Sequence, residues 1–238
     1  MLCIEHLTKS YGERRAVDDL TLHIAPGEIF GFIGHNGAGK TTTMKSAAGI
    51  LPYDAGSITV DGVSLRDDPI ACKQRMAYLP DNPDLYEFMS AIKYLRFVCD
   101  IYGVGEGRDE RILALSDRFD IRADLGQPIS ALSHGMKQKV AIIAAFLHEP
   151  RLILMDEPFV GLDPRAAHVL KEMMREHCDR GGAIFFSTHV LDVAEKLCDK
   201  VAIIKGGRLM VSGRMEDVRG DDSLEEVFLE LAERHEEG

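Results

Sequence analysis

Apolar and polar positions alternate through the first sixty residues, as they do in β-strands. The alternation covers residues 2–7 and 20–24, and a continuous apolar run at 28–33 is typical of a buried strand. A glycine-rich turn follows that run, and a helical segment continues from it to about Gly49. Residues 57–60 again resemble a strand. The N-terminal part of the chain is therefore predicted to contain an antiparallel β region.

The pattern changes at residue 86. From 86 to 147 the apolar positions recur at helical spacing, and no segment resembles a strand. Strand and helix patterns alternate after residue 147, which predicts a mostly parallel sheet with helices on both faces. The predicted elements are strands at 152–155, 183–186, 201–204 and 209–211 and helices at 164–178 and 190–198.

These patterns predict an α/β chain with a helical lobe inserted into its core. The core lobe comprises residues 1–85 and 148–220, the helical lobe 86–147, and a C-terminal helix 221–238. An apolar face on that last helix is expected to pack on the core. The residues of this face are Leu224, Val227, Phe228 and Leu231.

Composition and charge exclude several classes of protein. The chain has 238 residues, of which 45% are hydrophobic and 28% charged, so it is globular and not disordered. Its net charge of −11 lies mostly in the acidic tail, and clustered cations are lacking, so we expect no nucleic-acid partner. Apolar stretches such as 140–147 are too short to cross a bilayer, and no secretory signal is visible. Five cysteines without CxxC spacing predict reduced thiols.

The turn after the first buried strand carries the strongest chemical signal. Its sequence, GHNGAGKT, matches the phosphate-binding pattern G-x-x-x-x-G-K-[ST] in full. Glycines let backbone N–H groups approach phosphates, Lys40 supplies a positive charge, and the hydroxyl of Thr41 suits Mg²⁺. The predicted nucleotide-binding residues of this segment are Gly34, His35, Asn36, Gly37, Ala38, Gly39, Lys40, Thr41 and Thr42.

A second signal stands at the end of the apolar strand 152–155, where Asp156 and Glu157 follow. Ligands of parallel sheets bind at the carboxyl ends of the strands. Side chains alternate along a strand, so the two acids have different roles. Asp156 is the better partner for Mg²⁺, and Glu157 is placed to orient and deprotonate an attacking water. The alternative is that the acidic pair merely ends the strand.

Three further segments complete an ordered set: LSHGMKQK at 132–139, GLD at 161–163 and STH at 187–189. With the phosphate loop and the acidic pair, this set resembles the ATP-binding-cassette (ABC) ATPase family along the whole chain. The resemblance implies a single ABC ATP-binding domain over residues 1–238 with a P-loop NTPase core. It also implies ATP and Mg²⁺ as cofactors.

The resemblance assigns roles to residues outside the loop and the acidic pair. Tyr11 matches the aromatic residue that stacks on adenine, although it is also compatible with an ordinary strand-end tyrosine. Ser133 and Gly135 match the signature motif, which meets the γ-phosphate of ATP held by the opposite subunit, although Ser133 also suits a simple helix N-cap. His189 matches the switch histidine, so the catalytic residues are Lys40, Glu157 and His189. Asp163 matches the turn that couples the two sites of a dimer.

Two departures from the family pattern stand out. His134 and Met136 occupy positions where the signature motif usually has glycine and glutamine. Asp81 stands where the family usually has a glutamine. An aspartate can still hold Mg²⁺ through a water, but it lacks the hydrogen-bond donors of an amide. We include Asp81 with Thr41 and Asp156 as predicted metal ligands.

The function implied by the resemblance is hydrolysis of ATP to power a separate membrane permease. Two ATPase subunits, as a homodimer or a heterodimer, would close around ATP on the cytoplasmic, inner face of the cell membrane. The permease would dock near Asp81 and the helical lobe, and the C-terminal helix is similar to that of an export-type branch.

Three other functions remain open at this point. An ABC ATPase that acts on ribosomes or DNA usually carries a second cassette or a coiled-coil insert, and neither is present. A small-molecule P-loop kinase would leave the segments at Ser133 and His189 unexplained. A module that binds nucleotide without cleaving it is disfavoured because Lys40, Asp156, Glu157 and His189 are all present.

Overall fold

A computed structural model describes residues 1–233, which form ten strands and nine α-helices. The strands are β1 (Leu2–Tyr11), β2 (Arg14–Ile24), β3 (Ile29–Ile33), β4 (Ala55–Val60), β5 (Val63–Ser64), β6 (Met76–Leu79), β7 (Leu152–Asp156), β8 (Ala183–Thr188), β9 (Lys200–Lys205) and β10 (Arg208–Arg214). The helices are α1 (Lys40–Ala47), α2 (Pro69–Gln74), α3 (Ala91–Ile101), α4 (Arg108–Arg118), α5 (His134–Leu147), α6 (Pro164–Asp179), α7 (Leu191–Leu197), α8 (Met215–Arg219) and α9 (Leu224–Glu233).

Two sheets form the core of the molecule. The larger has the order β10-β9-β3-β8-β7-β6, and all its pairs are parallel except β10 with β9. The smaller is antiparallel, with the order β2-β1-β4-β5. The predicted fold class, a mostly parallel sheet with an N-terminal antiparallel region, is confirmed. The carboxyl ends of β3, β6, β7 and β8 meet at one edge, which places their following loops together.

Successive residues of the central strands pack into two separate apolar cores. In β3, Phe30 and Phe32 face the antiparallel sheet and α1, whereas Ile29 and Ile33 face α6 and the helical lobe. The ring of Phe185 in β8 contacts both phenylalanine rings of β3, with centroid distances of 5.8 Å to Phe30 and 5.4 Å to Phe32. This period-two division holds the parallel strands from both faces.

The helical lobe contains α3, α4 and α5 with two short 3₁₀ turns, Arg122–Asp124 and Ile129–Ala131. Within the described residues its only β pairing is an isolated bridge between Ser90 and Pro128. Sequence patterns missed α2, because a helix of six residues is too short to show a 3.6-residue period. Its start does follow helix rules, since Asp68 accepts a hydrogen bond from the Ala71 amide and Pro69 begins the helix.

The C-terminal helix α9 begins at Leu224, three residues later than expected. Ser223 and Glu226 cap it reciprocally: the Ser223 amide donates to Glu226 Oε2 at 2.8 Å, and the Glu226 amide donates to Ser223 Oγ at 3.2 Å. Leu224 is fully buried, and the other three predicted apolar residues pack against the same core. The rest of the predicted helix, residues 234–238, lies outside the described residues. No helix in the described part of the chain has the length and apolarity needed to span a membrane.

We expect Phe185→Ala to lower the free energy of unfolding by about 3–5 kcal/mol, because it opens a cavity between two further aromatic rings. Urea denaturation followed by circular dichroism measures the change. Phe88→Ala is the control, because Phe88 is 86% exposed and its removal should cost less than about 0.5 kcal/mol. Equal losses in the two variants would contradict the packing described above.

Candidate functional site

A cavity of about 410 Å³ opens at the carboxyl edge of the parallel sheet. It lies where the loop between β3 and α1 meets the residues that follow β6 and β7. Most of the predicted site residues line it, together with Arg14 and Ala16. The lining residues are Tyr11, Arg14, Ala16, His35, Asn36, Gly37, Gly39, Lys40, Thr41, Thr42, Asp81, Asp156 and Glu157.

The loop from Gly34 to Gly39 is built for close approach of its backbone. A Cβ on Gly34 would lie 2.5 Å from the carbonyl oxygen of Ile204, and one on Gly39 would lie 2.4 Å from that of Ala16. Gly39 also has a φ of 111°, which residues with side chains rarely adopt. Gly34 and Ala38 support the loop from behind and do not line the cavity. The result is a backbone cradle of the kind that holds phosphates at a helix N-terminus.

Lys40 starts α1 and points its ammonium group into this cradle. Its side chain is only 6% exposed, and Nζ donates to the carbonyl oxygens of Gly34 at 2.6 Å and His35 at 3.3 Å. The carboxylate of Glu157 lies 3.6 Å from the same nitrogen. A buried cation at the centre of the loop favours an anionic ligand there.

Asp156 is the last residue of β7, and one oxygen of its buried carboxylate accepts a hydrogen bond while the other accepts none. The hydroxyl of Ser187, on β8, donates to Asp156 Oδ1 at 2.5 Å. Oδ2 is buried without a hydrogen-bond partner, although Thr41 lines the same cavity. An unpartnered buried carboxylate oxygen near a hydroxyl is the donor set that a hard divalent cation such as Mg²⁺ prefers.

Glu157 adopts a left-handed backbone with φ of 48°, which turns its side chain into the cavity. Its amide donates to Ser187 Oγ at 3.1 Å, so one serine fixes both acids. His189 follows β8, and its Nδ1 lies 3.0 Å from Glu157 Oε2. Oε1 has no hydrogen-bond partner. A carboxylate with one oxygen beside a histidine and the other 3.6 Å from the Lys40 ammonium is held in place and can accept a proton from water.

Asp81 follows β6 and brings a third carboxyl group to the cavity. Partial burial, and then the negative charges of Asp156 and Glu157, raise the pKa of Asp81, while His134 and His189 oppose the shift. Three carboxyl groups at one site repel each other, and a bound cation would relieve that repulsion.

Two residues mark the mouth of the cavity. Tyr11 is 52% exposed at the end of β1, so its ring is accessible to a flat ligand. Arg14 donates to the carbonyl oxygen of Gly37 at 3.3 Å and adds a positive charge beside the loop. Sequence analysis missed Arg14 and Ser187. Their signals were present, since Arg14 closes the turn after Tyr11 and Ser187 stands two residues before His189.

Ser133 and Gly135 lie outside the cavity. Ser133 caps α5 by accepting from the Met136 amide at 3.3 Å, which is the simple helix-cap role. A Cβ on Gly135 would lie 2.8 Å from the carbonyl oxygen of Gly161, so this segment packs on the turn that ends at Asp163. Asp163 caps α6 by accepting from the Ala166 amide at 2.8 Å.

The assembled groups can bind a polyphosphate, hold a divalent cation and activate a water molecule. Residues 17–160 match the sequence profile of the family described as ABC transporter. The ABC-type transporter ATP-binding protein EcsA of Bacillus subtilis (strain 168) is 35% identical over 237 residues, which span 97% of this chain and 96% of that protein. The linearmycin resistance ATP-binding protein LnrL of the same organism is 32% identical over 92% of this chain and 70% of its own length.

Solved structures agree with the sequence matches. A structure described as the ATP binding subunit of an ABC transporter superimposes with a TM-score of 0.93 at 38% identity, and the match covers 98% of this chain and 99% of that one. The profile covers more than half of the chain, and the relatives align over nearly all of it. The chain therefore belongs to the ABC transporter family, as one of its ATP-hydrolysing, ATP-binding subunits.

Proposed function

We propose that this subunit binds Mg²⁺-ATP in the cavity, closes on a second ATPase subunit and thereby drives export through a separate permease. The observation that carries the proposal is the setting of Glu157, which lines the cavity with Lys40 and lies 3.6 Å from the Lys40 ammonium and 3.0 Å from Nδ1 of His189. A module that only bound nucleotide would have no need for a carboxylate held in this way by a histidine. The relatives reported above are described as transporter or resistance proteins, which favours transport over action on ribosomes or DNA.

ATP is positioned by the loop and the mouth of the cavity. The backbone cradle and Lys40 bind the phosphates, and the exposed ring of Tyr11 stacks on adenine. Asp156 and Thr41 would hold Mg²⁺, with Asp81 acting through a water. When bound, the cation neutralises charge on the β- and γ-phosphates.

Hydrolysis depends on Glu157, which takes the proton of the attacking water. His189 contacts one carboxylate oxygen and the Lys40 ammonium lies 3.6 Å from the other, so the carboxylate has a defined orientation toward the water. Lys40 stabilises the negative charge that develops on the phosphates. Ser187 holds Glu157 and Asp156 in register from the neighbouring strand.

A second subunit completes the site. Ser133 caps the 14-residue helix α5, and neither Ser133 nor Gly135 lines the cavity of its own chain. In the proposed dimer, the N-terminus of α5 and the Ser133 hydroxyl meet the γ-phosphate bound to the partner. Because the γ-phosphate contacts both subunits, ATP favours the closed dimer. Hydrolysis of ATP removes this contact, and the dimer opens.

We expect Glu157→Gln to bind ATP normally, to hydrolyse it at least about 100-fold more slowly and to accumulate as a dimer when ATP is added. Phosphate release and size-exclusion chromatography with light scattering measure the two effects. Ser133→Ala in the same background should remove the dimer while ATP still binds to the monomer.

Glu149→Gln is the matched control, since Glu149 also has a positive φ but carries a largely exposed side chain. It should hydrolyse ATP at the wild-type rate. Normal turnover in Glu157→Gln would refute the assigned role.

Asp81→Asn tests the third carboxyl group. A pKa raised in the folded state means that ionised Asp81 destabilises the nucleotide-free protein at neutral pH and stops doing so at acidic pH, where it is protonated. The variant should therefore raise the melting temperature at pH 7 slightly, on the order of 1 °C, because the group is largely exposed. It should also raise the Mg²⁺ concentration for half-maximal ATPase activity about threefold. Unchanged values of both would exclude Asp81 as a metal ligand.

The permease is proposed to dock on the helical lobe beside Asp81. A groove of about 250 Å³ there is lined by residues of the segment 79–85 and by apolar side chains of α3 and α5. An exposed aromatic patch adjoins it: Tyr86 contacts Phe88, Phe97 and Tyr94 with ring centroids 5.6–6.0 Å apart, and Tyr94 also lines the groove. Exposed aromatic clusters of this kind mark protein interfaces. The proposal includes a location for the docked subunit, on the cytoplasmic face of the membrane.

Phe88→Ser should abolish co-purification of the integral-membrane partner that is recovered with the wild-type subunit. It should leave ATP binding by the isolated subunit unchanged, because Phe88 does not line the nucleotide cavity. Ile70→Ser is the control, since Ile70 is also exposed but lies on α2, away from the patch. If both variants retain the partner, the docking site is elsewhere.

A further inference from the structure

The C-terminal helix reaches the phosphate loop. The ring of Phe228 in α9 lies 4.7 Å, centroid to centroid, from the ring of His35, at an interplanar angle of 58°. His35 is the second residue of the loop, and its side chain lines the nucleotide cavity. This contact therefore joins the last described helix of the chain to the site proposed for ATP.

Helix α9 is held in place at its first residue, so the position of Phe228 is defined. Its first residue, Leu224, is fully buried, and the Leu224 amide donates to Glu195 Oε2 at 3.0 Å. Glu195 lies on α7 and is itself held by Arg219 at 3.0 Å. Phe228 is one helical turn beyond Leu224, so the buried end of the helix determines where the ring lies.

His35 matters to the loop through its backbone. Its carbonyl oxygen accepts from the Lys40 ammonium at 3.3 Å and from the Ala38 amide at 3.1 Å. The His35 side chain is otherwise largely exposed, so the ring of Phe228 is a main contact that limits its movement. Limiting the movement of His35 restricts the turn that surrounds the Lys40 ammonium. A loop restricted in its bound geometry loses less conformational entropy when a ligand binds.

We propose that Phe228 is a positioning residue for nucleotide: it braces His35 and so holds the phosphate loop in the conformation that binds ATP and ADP. This inference rests on the proposed function, because it concerns the same cavity. The brace acts on the loop around the phosphates that both nucleotides share, so it affects ATP and ADP alike. It does not involve Glu157 or His189 and leaves the chemical step unchanged.

The test is isothermal titration of Mg-ATP and Mg-ADP into the full chain, combined with steady-state ATPase kinetics. Phe228→Ala should raise the Kd of both nucleotides about fivefold, as expected for loss of one aromatic pair. The KM for ATP should rise by a similar factor, while kcat at saturating ATP stays within twofold. In a His35→Ala background the same substitution should change Kd by less than twofold, because its contact is already absent.

Leu231→Ala is the matched control, because Leu231 packs on the same core from the same helix. It should lower the melting temperature without changing either Kd. Phe228→Leu keeps apolar volume if Phe228→Ala fails to fold, and it should still weaken both nucleotides at least twofold.

Three results would overturn the inference: unchanged Kd in the folded Phe228 variants, an equal rise in Leu231→Ala, or a full additive effect in the His35→Ala background. Failure of the wild-type chain to bind Mg-ATP would instead refute the proposed function itself.

Discussion

The buried ammonium group of Lys40 is the constraint on which the site depends. A cation so little exposed needs compensation, and the loop carbonyls of Gly34 and His35 provide it together with Glu157. The loop can wrap the ammonium only because glycines allow its backbone to pass within contact distance of neighbouring carbonyl groups. The geometry that retains the lysine therefore also creates the concave backbone surface that suits a phosphate chain.

The parallel sheet brings this loop together with the other groups of the site. Strands β3, β7 and β8 are neighbours of the same direction, so the loop, the acidic pair and His189 emerge at one edge. The position of Ser187 shows how tightly they are joined, because one hydroxyl contacts both Asp156 and the amide of Glu157. Two apolar cores hold these strands from opposite faces, which keeps distances between the site groups fixed.

Charge and connectivity link the cavity to the proposed docking groove. Asp81, Asp156 and Glu157 bring three carboxyl groups to the cavity, and partial burial together with the repulsion between them raises the pKa of Asp81. A bound cation would reduce this repulsion. The segment 79–85 contributes Asp81 to the cavity and most of its other residues to the groove on the helical lobe. A change at the nucleotide can thus reach the groove along a few residues of backbone. The contact between Phe228 and His35 joins the phosphate loop to helix α9.

Contiguous patterns determined much of this molecule. The phosphate loop, the acids at the end of β7, the alternation in β1 and β2 and the apolar face of α9 could all be predicted, because each depends on residues close together in the chain. Other features depended on strand order and helix packing: the double role of Ser187, the approach of Arg14 to Gly37, the position of Ser133 outside the cavity and the ring of Phe228 on His35. Periodicity and spacing carry information about neighbours in sequence. Contacts between distant residues are decided by how the buried surfaces of whole elements fit together, and only the tertiary structure contains that fit.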